Sequence, residues 1–265
     1  MTGFFSQQTA LPPDGRGAVL LWRNAVAGRP VDWAAERLLS AGVLINGRFV
    51  LPETRTEREA WFAGLFALFP ELAPLGEKLP LRSGGETIAL VDRRLFRPLG
   101  LPTVCVRLWI LEGKRFWLAK RSARKRIGPG LWDSPVGGLL SGDESPREAL
   151  FREAYEEAGL RLENLSLLEG PDLTEDRLVP EGRLVETTVN RLLRTPSPPR
   201  LAARDGEVER FESFSAQEVR SLILSGRMLS DAARSWSVLA ERLQSGRRRR
   251  TIPAPTSHTT HRTDP

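Results

Sequence analysis

Hydrophobic positions along this chain change period several times, and each change marks an element. Ahead of residue 100, Asp32 stands where a helix cap is expected. The helix it predicts runs from Trp33 to Leu39 and ends at Gly42. Val43 to Val50 alternates around Asn46-Gly47, which is the strongest short hairpin signal because both turn residues tolerate positive φ. Thr54 and Glu57 have capping-box spacing. The helix that follows puts Trp61, Phe62, Leu65, Phe66 and Phe69 on one side and stops at Pro70. Beyond residue 100 the period shortens to that of strands. Thr103–Ile110 and Arg115–Ala119 pair around a turn at Glu112-Gly113-Lys114, and Leu184–Leu193 and Val208–Phe214 follow later. Between them lie a basic loop over Lys120–Pro129 and one strongly specified helix over Pro146–Ala158. Two more helices close the body. One is capped by Ser215 with Glu218 and carries Val219, Leu222 and Ile223, and the other presents Trp236, Leu239 and Leu243. Strands with few helices interposed predict an α+β fold rather than regular βαβ alternation. The organisation is a small α+β unit over 1–100, a main domain over 101–245 and a disordered basic tail over 246–265.

Composition narrows the chemistry. The chain has 265 residues, 40% of them hydrophobic and 27% charged, which is enough to bury a core without staples. No apolar run approaches the ~18 residues of a membrane span. The N-terminus lacks a basic stretch followed by an apolar core, so a cytoplasmic protein is expected. The single cysteine, Cys105, alternates with Val104 and Val106 and reads as core; it excludes a disulfide framework or a cysteine cluster. Both histidines, His258 and His261, fall in the tail, so imidazole catalysis and histidine-bound zinc are not expected in the body. The net charge of +6 owes most of its value to Arg247–Arg250 and Arg262, leaving about +2 for the body. No aromatic residues are interleaved with that arginine run. It therefore reads as a solubilising tail rather than a tether for RNA, and nucleic acid is not an expected partner.

The remaining candidates are carboxylates and arginines, and they cluster on the Pro146–Ala158 helix. Ser145 caps it, Pro146 occupies the first turn, Glu148 completes a capping box and Gly159 terminates it. At about 100° per residue, Leu150, Phe151, Ala154, Tyr155 and Ala158 form an apolar arc, and Glu153, Glu156 and Glu157 crowd an adjacent arc of about 100°. Like charges at that spacing repel. Either a hard cation such as Mg²⁺ or Mn²⁺ offsets them, or they form a solvated acidic face paired with arginines.

The spacing Gly138-x5-Glu144-x7-Arg152-Glu153-x2-Glu156-Glu157-x-Gly159 resembles the signature of the Nudix hydrolases at every fixed position. Ala154 is a soft departure, standing where a larger aliphatic is common. The resemblance implies an α/β/α sandwich around a mixed sheet, preceded here by the small N-terminal domain, and hydrolysis of a diphosphate linked to another group. It implies metal binding by Glu153, Glu156 and Glu157, joined by the Gly138 backbone carbonyl and by Glu144, with Arg152 orienting Glu153. The cofactor is then Mg²⁺ or Mn²⁺. Its role is to neutralise the diphosphate and activate water, with the identity of the general base left open. Outside the signature, Glu186 and Glu207 lie near strands that reach such a site, or are exposed strand-edge carboxylates. Lys120, Arg121, Lys125 and Arg126 form either a phosphate-gripping loop or a solvated one, with Arg121 and Arg126 the substrate-binding candidates.

Three more segments, Ile45-Asn46-Gly47, Leu118–Asp133 and Asp205–Phe211, resemble the Nudix group related to thiamine pyrophosphokinase. That similarity implies hydrolysis of oxidised thiamine diphosphates, such as the oxo and oxy forms, to monophosphates as a form of damage repair. The strand Glu186–Leu193 and the helix around Trp236 depart from that group. The alternatives are a pyrophosphatase for ADP-ribose, NADH or oxidised nucleotides, and a non-catalytic ligand sensor. The N-terminal unit is expected to complete a substrate pocket or a dimer, with Trp22, Trp33 and Trp61 serving as core or as stacking surface.

Overall fold

The computed structural model describes residues 17–43, 48–245 and 251–252. The chain divides into two compact units. One comprises the chain up to Val104 with Leu139–Glu144 and Thr174–Thr187. The other comprises Cys105–Gly138, Ser145–Leu173 and the chain from Thr188 onward.

In the first unit, β1 (Val19–Trp22) pairs antiparallel with β2 (Ala25–Gly28). Helix α1 (Asp32–Ser40) begins one residue earlier than expected. Val31 occupies the cap position and has no side chain able to accept a hydrogen bond, so Asp32 sits inside the first turn instead, where its charge favours the positive end of the helix dipole. The Asn46-Gly47 turn lies outside the described residues. The strand after it, β3 (Arg48–Val50), pairs in parallel with β1. Helix α2 (Arg55–Gly64) has the complete Thr54–Glu57 capping box and tightens into a 3₁₀ turn over Leu65–Ala67. A hairpin absent from the sequence reading follows, β4 (Lys78–Ser83) and β5 (Glu86–Asp92) turning at Gly84-Gly85, both with positive φ. Its strands alternate poorly, which hid them. Arg58 is the polar hub of this unit. Its guanidinium is buried over the Trp22 ring and donates to the carbonyls of Ile88, Pro52 and Glu53, each at 2.7 Å. Trp22 is buried in the core, Trp61 stacks on Phe49, and Trp33 is 39% exposed. A short helix, α3 (Phe96–Leu99), leads out of the unit.

The long sheet contains β6 (Pro102–Glu112), β7 (Arg115–Arg121), β8 (Trp132–Asp133) and β9 (Val136–Leu139). After helix α4 (Pro146–Ala158) it adds β10 (Leu167–Glu169), β11 (Leu173–Val179), β12 (Gly182–Thr195) and β13 (Val208–Ser215). Its order is β13-β7-β6-β12-β10, with β8 on β7, β9 on β6 and β11 on β12. Helices α5 (Ala216–Leu224) and α6 (Ser230–Gln244) complete the α+β composition. Buried residues run without a break from Cys105 to Leu111, so β6 is covered on both faces. Trp109 and Leu111 pack with Phe116, Leu118, Trp132, Leu222 and Trp236 in one core; Val106, Leu108 and Ile110 alternate onto the other face. Cys105 is buried, as its alternation suggested. Most of the tail lies outside the described residues. Thr251 and Ile252 are described, and form a two-residue strand antiparallel to β10. Among the described residues, no helix is long and apolar enough to cross a membrane.

Candidate active site

Helix α4 takes the form its caps dictate. Ser145 Oγ accepts from Glu148 N, the Glu148 carboxylate accepts from Ser145 N, and Gly159 ends the helix at φ 63°. Leu150, Ala154 and Ala158 are buried, and so is Glu157, although it is a carboxylate. Burial of a charge needs a specific reason. Part of it is the backbone of β9: Gly137 N–H donates to Glu157 Oε2 at 2.8 Å. Even so, removal from water pushes the Glu157 carboxyl up to about 8. The Gly137 bond opposes that shift, and the negative charges of Glu153 and Asp133 add to it.

One turn back, Glu153 lies across Gly138. A Cβ on Gly138 would fall 2.1 Å from Glu153 Oε1, so only glycine lets this carboxylate lie against β9. Arg152 Nη1 bridges Glu153 Oε1 at 2.8 Å and Glu156 Oε2 at 3.0 Å, placing a positive charge between two carboxylates of the same turn. Glu156 is exposed. Glu144 lies just before the cap, and its Oε1 accepts from Ser141 N at 2.5 Å.

Glu157 meets carboxylates from a distant segment. One oxygen each from Glu157, Asp205 and Glu207 lie within 4.8 Å of one another. Asp205 and Glu207 flank Gly206, at φ 78°, and Asp205 Oδ1 accepts from Glu207 N at 2.8 Å, an Asx turn that aims both side chains the same way. Lys125 reaches the same place, its Nζ paired with Glu207 Oε2. The structure therefore brings Glu207 to Glu157, and adds Asp205. The signal was there in Asp-Gly-Glu, a turn that returns two acids to one side.

Two further candidates are held elsewhere. Glu186 accepts from Thr103 Oγ1 at 3.0 Å and lies 3.8 Å from Arg97 Nη2. These are partners within its own unit. Arg121 is likewise committed as an anchor, donating to Asp133 Oδ2 at 2.8 Å and to the Ile127 carbonyl at 2.9 Å. Arg126 is exposed on the loop that this anchor shapes.

A family model described as the Nudix domain matches residues 101–235, half of the chain, and spans all of these groups. The chain belongs to the Nudix family. Its Nudix region is similar to the RNA pyrophosphohydrolase of Hahella chejuensis, 42% identical over 81 residues, which cover 31% of this chain and 44% of that one. It is also similar to the RNA pyrophosphohydrolase of Shewanella sediminis, 50% identical over 44 residues, 17% of this chain and 25% of that one. The chain thus spans less than half the length of these curated relatives. Among solved structures, DR0079 from Deinococcus radiodurans aligns with a TM-score of 0.44 at 21% identity, covering 51% of this chain and 82% of that one. A bifunctional NMN adenylyltransferase/ADP ribose pyrophosphatase from Francisella tularensis aligns with a TM-score of 0.43 at 23% identity, covering 57% and 42%.

The Nudix family implies a divalent metal, and the donors here suit one. They are all oxygens, with no thiolate or imidazole among them, which is the hard set preferred by Mg²⁺ and Mn²⁺. A buried carboxyl raised to about 8 and a glycine-lined bed for a second one are arrangements that a bound cation would stabilise.

Proposed function

We propose that this chain is a divalent-metal-dependent diphosphatase of organic diphosphates. The observation that carries the reading is the meeting of buried Glu157 with Asp205 and Glu207 beside the Gly138–Glu153 contact. Glu153, Glu156 and Glu157 would hold Mg²⁺ or Mn²⁺, with the Gly138 carbonyl and Glu144 assisting. Arg152 positions Glu153 rather than touching substrate. When bound, the ion neutralises phosphoanhydride charge and makes a bound water acidic enough to attack. The protein's own part is to hold carboxylates in a turn where they would otherwise repel, and to offer one of them as proton acceptor. Glu207 is the candidate outside the helix, exposed enough to exchange a proton with solvent.

For the substrate, the reading is an oxidised thiamine diphosphate, such as the oxo or oxy form. Its support is that two of the segments resembling the thiamine-related Nudix group, Leu118–Asp133 and Asp205–Phe211, converge on this cluster through the Lys125–Glu207 pair and the Ser122 N to Glu207 O bond of 2.8 Å. A second reading, a nucleotide diphosphate derivative, is favoured by the relatives named RNA pyrophosphohydrolase. A hydrolysis panel with Mg²⁺ separates the two. It would contain thiamine diphosphate with its oxo and oxy forms, ADP-ribose, NADH and a 5′-triphosphorylated RNA. Monophosphate release from the oxidised thiamines, ahead of the rest by tenfold or more in kcat/KM, is the expected result. Preference for an adenosine compound or RNA end would replace the thiamine reading, and no turnover of any would overturn the diphosphatase reading.

Gly138→Ala should separate site geometry from stability. The atoms nearest the new methyl all belong to the flexible end of Glu153, so the carboxylate moves rather than the backbone. The expected outcome is a change in unfolding free energy of under about 1 kcal/mol, with Mn²⁺ affinity reduced about tenfold or more. Calorimetric metal titration beside a urea melt checks both.

A further inference from the structure

Lys125 stands in an unusual place for a cation on a surface loop. The chain has 35 arginines and only four lysines, and this lysine's ammonium pairs with Glu207 inside the acidic cluster. It also reaches Glu157 electrostatically, favouring that carboxylate's charged form. A lysine ammonium is a compact point charge on a flexible stem, closer in kind to a metal ion than arginine's planar fork, and easier to move. The loop beneath it is fixed. Lys125 N donates to the Ser122 carbonyl at 3.3 Å, Ser122 N to the Glu207 carbonyl at 2.8 Å, and Arg121 clamps the Ile127 carbonyl. The base of the side chain is thus anchored beside the cluster, and its ammonium is held there by Glu207 alone among the ion pairs of the described residues.

Resting on the metal-dependent reading above, we propose that Lys125 is the resident counter-ion of the Glu157–Asp205–Glu207 cluster. A divalent cation entering the cluster displaces its ammonium from Glu207, and the ammonium then turns to the phosphate oxygens of the substrate. A cation held by Glu157 lies beside Glu207 and repels the ammonium from it, leaving that carboxylate free. Once detached, the ammonium is held by its loop next to the place where a diphosphate, now drawn by the metal, must lie. The same side chain therefore opposes metal binding in the absence of substrate and supports diphosphate binding once metal is present.

The test uses the full chain and Mn²⁺ alone, followed by the electron paramagnetic resonance of the free ion. Lys125→Met keeps the aliphatic stem and removes the charge. It should bind Mn²⁺ about two- to fivefold more tightly than the unaltered protein, whereas Lys114→Met, at the turn between β6 and β7, should leave the affinity unchanged. With Mn²⁺ saturating, methylenediphosphonate, a non-hydrolysable diphosphate, should bind Lys125→Met about tenfold more weakly. Unchanged or weaker Mn²⁺ binding by Lys125→Met overturns displacement, and unchanged diphosphonate binding overturns the second role. Glu157→Gln distinguishes these failures from failure of the metal site itself. If Mn²⁺ binds neither protein, or binds Glu157→Gln as well as the unaltered chain, the metal-dependent reading falls and this proposal falls with it. Matching thermal melts for the lysine variants establish that each is folded.

Discussion

Glu157→Gln is expected to reduce turnover by about 10²- to 10³-fold and at the same time to stabilise the metal-free protein at pH 8. Both effects come from one burial. The folded carboxyl titrates near 8 because it is only 8% exposed, against 4.5 for an unburied glutamate. Below about pH 4.5 folded and unfolded chains both carry the proton, and the group is neutral in its effect. As pH rises from there towards 8, the unfolded chain loses the proton and the folded one keeps it, so unfolding is favoured by about 1.4 kcal/mol for each pH unit crossed. Above 8 the folded carboxyl ionises as well and the loss levels off. The destabilisation due to this group is therefore absent at the acidic end of the window and complete at its alkaline end. Glutamine can still accept the Gly137 N–H bond and carries no titrating proton, so the variant's melting temperature should be flat where the unaltered protein's declines between pH 5.5 and 8.5. Saturating Mg²⁺ should cancel the decline in the unaltered protein, because a ligand bound only by the folded state adds its binding energy to stability, and should do little for the variant. Scanning calorimetry at four pH values with and without Mg²⁺ measures all of this. A decline that survives in Glu157→Gln would show that other groups cause it.

Helix α4 was legible because every term in it agrees. Cap, capping box, apolar arc and terminal glycine fix its limits, and the spacing of its carboxylates carries the family. The Ser215 cap and the strands β6, β7 and β13 were legible for the same reason. What escaped were elements whose evidence is tertiary. Strands β4 and β5 bury Leu79, Leu81, Ile88, Ala89 and Val91, but Pro80 and the positively charged Arg82 break their alternation, and their identity as strands depends on the hairpin they form together. Asp205 escaped because its partner Glu157 lies 48 positions earlier, and no local period links a loop acid to a helix acid. The partners of Glu186 escaped for the converse reason. Strand alternation gives the face of a residue and not its neighbours, and Thr103 and Arg97 claimed its carboxylate. Lys125 and Arg121 looked equivalent in one basic loop, and burial separated them, Arg121 turning inward to Asp133 and Lys125 reaching the acidic cluster.

Asp133→Ala is expected to destabilise the Nudix unit by about 3–5 kcal/mol, the largest stability loss we anticipate for a single substitution in the site's support. Asp133 sits in β8 between two arginines. Arg107 Nη1 donates to its Oδ1 at 2.5 Å, Arg121 Nη1 to its Oδ2 at 2.8 Å, and Ser134 N to Oδ1 at 2.7 Å. Burial penalises the charges on Arg107 and Asp133, and the attraction between them more than reverses that penalty, holding the Asp133 carboxyl below the usual range and Arg107 above it. The group's folded pKa is depressed, so its stabilising effect is complete above the unfolded value of 3.8 and is lost as pH falls through the lower, folded one. At neutral pH, removing the carboxylate leaves Arg107 charged in an interior where its Nε has no partner among the described residues. That uncompensated charge, more than the lost ion pair, is the source of the cost. It follows that Arg107→Met combined with Asp133→Leu should recover most of the loss, since an apolar pair of similar volume is often neutral or better than a buried ion pair. Urea unfolding of Asp133→Leu, Arg107→Met and the double closes the cycle, and a double variant no more stable than Asp133→Leu would remove Arg107 from the explanation. The recovered fold should not recover full function. Arg121 shapes the loop through the Ile127 carbonyl and takes its own orientation from Asp133 Oδ2. Without that oxygen the loop bearing Lys125 loses its anchor, so the double variant should be stable yet bind methylenediphosphonate more weakly than the unaltered protein, which separates what Asp133 does for the fold from what it does for the site.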